Sequence, residues 1–274
     1  MKREFFEKID CQMHSTLRSY QELQMLKHCG VTDIISTIYI PLKITKPGTV
    51  QDLCNWLIKK ETERGDKIGI NIHPAIGLHP LMVPEDTTFI DEALDYIENA
   101  VKSKKAVAVG ETGLEKGTQE EFVCFKRHLE IAKDNRLPVI IHTPRENKPE
   151  LTKIIMREIK RKKIEQAVVD HCDMTNVKIV LSNARRDIKV GLSIGKRNLS
   201  IPDALKLYKS YSYENRFVLS SNAGGANSDY LSLIKAVEAF SEAGVNPKIV
   251  KKLANDNAMD LFRGIVRKDN ALLI

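Results

Sequence analysis

Short apolar runs, each followed by an amphipathic stretch, recur eight times along this 274-residue chain. This alternation limits the fold more than any other feature of the sequence. Continuous aliphatic runs of strand length suit strands buried on both faces, which occur in parallel sheets covered by helices. The runs lie near Phe5–Ile9 and at Asp33–Ile40, Lys67–Ile76, Ala106–Glu111, Leu137–Ile141, Gln166–Asp170, Ile188–Ile194 and Phe217–Ser221. The spacing predicts helices over Ser19–His28, Val50–Glu63, Asp86–Lys102, Gln119–Asn135, Pro149–Lys162, Asn176–Asn183 and Ile201–Tyr208, with Tyr230–Ala243 and Pro247–Phe262 closing the chain. Ser19 is a candidate N-cap and Gly30 a stop for the first helix. Ile90, Ala93, Leu94, Ile97 and Val101 fall on one face of the third. Eight strand-plus-helix units in roughly 260 residues predict a (β/α)8 TIM barrel of the α/β class, one domain over residues 1–274. A doubly wound open sheet would carry a glycine-rich phosphate loop after the first strand, and none is present.

Polar residues close these runs. In a barrel the C-terminal strand ends open on one face, so residues far apart in sequence converge there. The stretch AVAVGETGL delivers Glu111 at the end of the fourth run, with a glycine on either side. A carboxylate after such a run is costly to bury without a cation or several donors. His142 follows PVII and His171 follows AVVD. Imidazole with carboxylate suits zinc, iron or manganese, and three protein ligands with an open position describe a catalytic site. Glu111, His142 and His171 are therefore the expected core of a divalent-metal site. His14 ends the first run, two places after Gln12, whose amide is a weak neutral ligand. His79, in GLHP, and Arg145, in HTPR, are candidates to hold a substrate phosphate; arginine does so bidentately. Asn222 ends the eighth run, where an aspartate would serve as ligand and base. His28, His73 and His128 fall inside predicted elements and read as structural.

Composition excludes several classes. No apolar run approaches the roughly 20 residues needed to span a bilayer. The N-terminus is charged and has no signal-peptide core, which points to the cytoplasm. Five scattered cysteines without a CxxC pair indicate neither a disulfide framework nor a thiolate zinc site. Net charge is +7, which accords with a polyanionic partner and equally with a solvated basic surface.

Taken together, IDCQMH, GLHP, AVGETGL, PVIIHTPR, VVDHC, FVLSSNAG and NAMDLF resemble the TatD-type metal-dependent hydrolases of the amidohydrolase superfamily, in particular an archaeal branch. The likeness runs from Ile9 to Phe262. It implies a (β/α)8 barrel with one or two divalent ions (zinc, manganese or magnesium) and hydrolysis of phosphodiesters in DNA by an activated water. It also implies a first-strand D-x-H-x-H motif and an eighth-strand aspartate around one ion. The fourth-strand glutamate then bridges to a second ion held by histidines of the fifth and sixth strands. By position, Glu111, His142 and His171 keep the second site. The first keeps His14 and Glu111, but Gln12 stands for histidine and Asn222 for aspartate. The expectation is one ion rather than two. Glu111, His14 and Asn222 sit at the catalytic positions, Glu111, His142, His171 and His14 at the metal positions, and DNA or another phosphodiester is the substrate. The alternatives are a weak or inactive barrel acting as a binding protein, or a hydrolase of a small ester, amide or lactone.

Overall fold

A computed structural model describes residues 6–262, apart from positions 184, 186, 197 and 226. Eight parallel strands run β1 (Lys8–Met13), β2 (Val31–Thr37), β3 (Asn71–Ile76), β4 (Ala108–Gly113), β5 (Val139–His142), β6 (Ala167–Val169), β7 (Ile188–Ser193) and β8 (Phe217–Ser220), each pairing with the next. The ring closes just beyond the strand ends. The N–H of Asn222 donates to the carbonyl of Gln12, and the N–H of His14 to that of Ala223, both at 3.0 Å. The buried Asp10 carboxylate ties the same seam by accepting from the Ser221 N–H at 3.0 Å. The fold is the predicted TIM-like barrel.

The helices are α1 (Tyr20–His28), α2 (Pro47–Asn55), α3 (Thr62–Ile68), α4 (Ile90–Lys102), α5 (Gln119–Asn135), α6 (Lys148–Lys162), α7 (Val177–Asn183), α8 (Ile201–Tyr211), α9 (Ser232–Glu242), α10 (Pro247–Lys251) and α11 (Asn257–Phe262). Ser19 caps α1 in a capping box with Glu22, as its sequence predicts. One π-type turn, Trp56–Glu61, joins α2 to α3, and another, Lys252–Asp256, joins α10 to α11. Several boundaries differ from the sequence reading by a few residues, and three of them bear on the site or its neighbours. The first strand begins at Lys8, not near Phe5, which lies outside the described residues. Lys67 and Ile68 belong to α3, because Gly69 ends that helix at φ +79° and the strand starts only at Asn71. The fourth strand extends past Glu111 to Gly113.

Two apolar layers explain why the strands are hydrophobic on both faces. Ile35, Ala75, Ala108, Ile140, Val168 and Val218 form one cluster, joined by Ala258, Leu261 and Phe262 of α11. Their chain neighbours Ile76, Val109, Ile141, Val169 and Leu219 pack instead with the surrounding helices. Adjacent residues of a strand face opposite ways, so the first set fills the barrel and the second its outer wall. Among the described residues no helix is long and apolar enough to cross a membrane. All five cysteines are free.

His128, read as structural, is buried on α5 and braces the loop that carries His79. Its Nε2 accepts from the Leu78 N–H at 2.9 Å and its Nδ1 donates to the Cys124 carbonyl at 2.6 Å. That arrangement needs a neutral ring, and burial pushes its pKa down to about 4. In the unfolded chain it titrates near 6.5. Between those values the unfolded chain binds a proton that the folded one refuses. Stability is therefore full above about pH 6.5 and falls as pH drops towards 4, by at most about 3 kcal/mol for this residue. Urea unfolding at stepped pH should show a shallower acid loss for His128→Gln than for the parent; parallel curves would refute this.

Candidate metal centre

Glu111 is fully buried in the C-terminal half of β4. Glycines on both sides let the neighbouring strand come close. A Cβ on Gly110 (φ +150°) would lie 2.6 Å from the Ile140 carbonyl oxygen, and one on Gly113 (φ +152°) 2.2 Å from that of His142. Only glycine tolerates this backbone at such an approach. The two glycines read from the sequence thus press β4 against β5 and set Glu111 beside His142.

The carboxylate is ringed by nitrogen. On Oε1, His142 Nδ1 lies at 2.9 Å, His171 Nε2 at 3.0 Å and His79 Nε2 at 3.5 Å. On Oε2, the Gln12 Nε2 amide donates at 2.6 Å and His14 Nε2 lies at 3.8 Å. Burial alone would raise the Glu111 pKa, but the imidazoles of His79, His142 and His171 hold it well below the usual carboxylate range. His79, Glu111 and His142 have ligand atoms all within 4.8 Å of one another, a spacing that suits a metal ion. His79 was expected at a substrate phosphate; the fold brings it to the carboxylate itself. Its Nδ1 accepts from the Leu81 N–H at 3.1 Å.

The remaining predicted residues fall around the same mouth. His14 is buried, with Nδ1 3.0 Å from Thr37 Oγ1 and 3.3 Å from the Thr37 carbonyl. Burial pushes its pKa down to about 4, so it is neutral at pH 7. Asn222 has φ +45°, and its side-chain oxygen is buried without a hydrogen-bond partner. The same holds for the Gln12 Oε1 oxygen. Gln12 was read as a weak ligand, and its contact with Glu111 is through the nitrogen. A carboxylate only accepts, so the amide must present its N–H to it. A cavity of about 400 Å³ opens above, lined by His14, Tyr39, His79, His142, Asn222 and, at its rim, the exposed Arg145. His73 is not at this mouth; it pairs with Asp33 at 2.8 Å inside the sheet.

Two groups behind the ring were missed in the sequence. Glu115 Oε2 lies 2.6 Å from His142 Nε2, so both nitrogens of that ring face carboxylates. Glu115 is held by its loop: the buried Glu121 of α5 accepts from the N–H groups of Glu115, Lys116 and Gly117 at 2.8–3.1 Å. On the other side, Ser193 of β7 and Asp170 stand behind His171. Their only sequence signals were a glutamate two places past Gly113 and an aspartate directly before His171. Burial works against a charged His142, but its bonds to Glu111 and Glu115 win and raise its pKa to about 9. In metal-free protein, Glu115→Gln should bring the His142 pKa back towards the ordinary imidazole value of about 6.5. Histidine NMR titration reads it, and an unmoved pKa would show that the pair does not form.

Comparisons with known proteins point to one family. The chain is 29% identical over 259 residues to an uncharacterised metal-dependent hydrolase of Methanocaldococcus jannaschii, covering 93% of this chain and 99% of the relative. It is 31% identical to the crystal structure of a TatD-like protein of Archaeoglobus fulgidus, covering 93% and 99% of the two chains at a TM-score of 0.76. The phosphotriesterase homology protein of Escherichia coli, solved with phosphate in its active site, shares the fold at 16% identity, with 93% and 98% coverage and a TM-score of 0.69. Residues 9–211 match the TatD-related DNase family, and the chain belongs to that family.

Proposed function

We propose that this chain is a metal-dependent hydrolase that cleaves phosphodiester bonds, with DNA as its substrate and one divalent ion at the barrel mouth. The observation that carries this reading is the fully buried Glu111 among imidazole nitrogens, beneath a cavity rimmed by Arg145. A buried carboxylate with imidazoles, His142 giving up a proton as the ion binds, is a donor set that fits zinc or manganese, and magnesium less closely. Membership of the family supports DNA as substrate.

Hydrogen bonding supports an assignment of roles. The Leu81 N–H occupies the His79 Nδ1 lone pair, so neutral His79 carries its proton on Nε2. His79 is then a donor to Glu111 or to a substrate oxygen, not a ligand, although it lies within ligand distance. Glu111 Oε1, His142 and His171 are left to hold the ion, with His14 at the edge. The Gln12 amide donates to Oε2, where the family pattern has a second ion, and this favours one ion over two. A divalent ion bound there would supply Lewis acidity and water activated at neutral pH. Arg145 would grip the phosphate and His79 would donate to it.

Gln12 and Asn222 favour a second reading, a catalytically weak binding protein. Asparagine at 222 gives neither charge nor basicity, and loss of a general base typically costs about 10²–10⁴-fold in rate. Metal analysis of the purified protein should find about one ion per chain, and DNA should be cleaved with Mg²⁺, Mn²⁺ or Zn²⁺ supplied. Neither metal nor cleavage under any condition would end the hydrolase reading. Metal without nuclease activity would move the substrate to a small ester, amide or lactone, or leave a binding protein. Gln12→His combined with Asn222→Asp should raise metal content towards two ions per chain and increase activity; no rise would show that these positions are not the cause.

A further inference from the structure

Behind His171 runs a line of hydrogen bonds that points one way. Asp170 Oδ1 accepts from the backbone N–H of His171 at 2.8 Å and contacts Ser193 Oγ at 2.5 Å. An oxygen already taking an N–H acts as acceptor, so the serine hydroxyl donates to it. The hydroxyl has one proton, so Ser193 Oγ can only accept on its other side. There it meets His171 Nδ1 at 2.8 Å. The imidazole must therefore carry a proton on Nδ1, which makes Nε2 the nitrogen turned to Glu111 Oε1, at 3.0 Å. Asp170 is 1% exposed and Ser193 0%, while His171 is partly buried at the mouth. The fold makes room for the carboxylate, since a Cβ on Gly191 would lie 2.3 Å from Asp170 Oδ1. His171 itself has φ +58°, with its N–H tied to the same oxygen.

We infer that Ser193, oriented by Asp170, is a positioning residue that holds His171 with its proton on Nδ1 and presents Nε2 to the metal. The inference rests on the reading of His171 as a ligand given above. Ser193 touches neither ion nor substrate. It acts by removing the other tautomer and other ring orientations before the ion arrives. Support of this kind behind a metal-bound histidine changes affinity by about 10–100-fold when removed.

Zinc serves as the probe because it is diamagnetic and suits the donor set. Affinity is read by competition with a chromophoric chelator, and the protonation of His171 by nitrogen–proton NMR of the zinc-loaded chain. In the parent, His171 should keep its proton on Nδ1 and bind through Nε2. Ser193→Ala should weaken zinc binding by about 10–100-fold and lose the Nδ1 proton signal to solvent exchange. Ser193→Thr, which restores the hydroxyl, should recover both. Unchanged zinc affinity in Ser193→Ala would overturn the positioning role alone. Coordination of His171 through Nδ1 in the parent would do the same without any variant, so the test survives a variant that fails to fold. A parent that binds no zinc or other divalent ion would overturn the metal reading along with it.

Discussion

One desolvated carboxylate organises this molecule. Glu111 has no exposure, and an ionised carboxylate in such a place costs several kcal/mol unless paired. The fold answers with nitrogen from four strands or the loops beyond them: Gln12 from β1 and His14 just after it, His79 beyond β3, His142 from β5 and His171 beyond β6. These strands reach one point only because the sheet curls until β1 meets β8. The seam bonds of Gln12, His14 and Asp10 are therefore as much part of the site as the imidazoles.

The histidines around Glu111 look alike in sequence and differ in what their far nitrogen touches. His79 has a backbone N–H there, His14 has Thr37, His142 has Glu115 and His171 has Ser193. Each contact decides where the ring proton sits, and so whether the near nitrogen is a donor or a lone pair. Distance alone groups His79 with Glu111 and His142. In the proposed reading, proton placement sets His79 apart as a donor and counts His171 among the ligands. Gln12 follows the same logic: its amide turns its N–H to Oε2.

The sequence by itself determined the architecture. Its aliphatic runs needed burial on both faces, their number and spacing suited a barrel, and the polar residues closing them were placed at one mouth. The glycines flanking Glu111 were visible as well, because no other residue fits a strand pressed against its neighbour's carbonyl oxygen. Boundaries were less legible. Lys67 and Ile68 look like strand residues, and only the left-handed Gly69 shows that they end a helix. What the tertiary structure alone decided was the direction of each hydrogen bond: the Gln12 amide turned to Glu111, Glu115 brought behind His142 by the grip of Glu121 on its loop, and Ser193 placed between Asp170 and His171. Hydrophobic period records which face a residue occupies. It does not record which atom of a distant strand will meet it, and the chemistry of this site depends on those meetings.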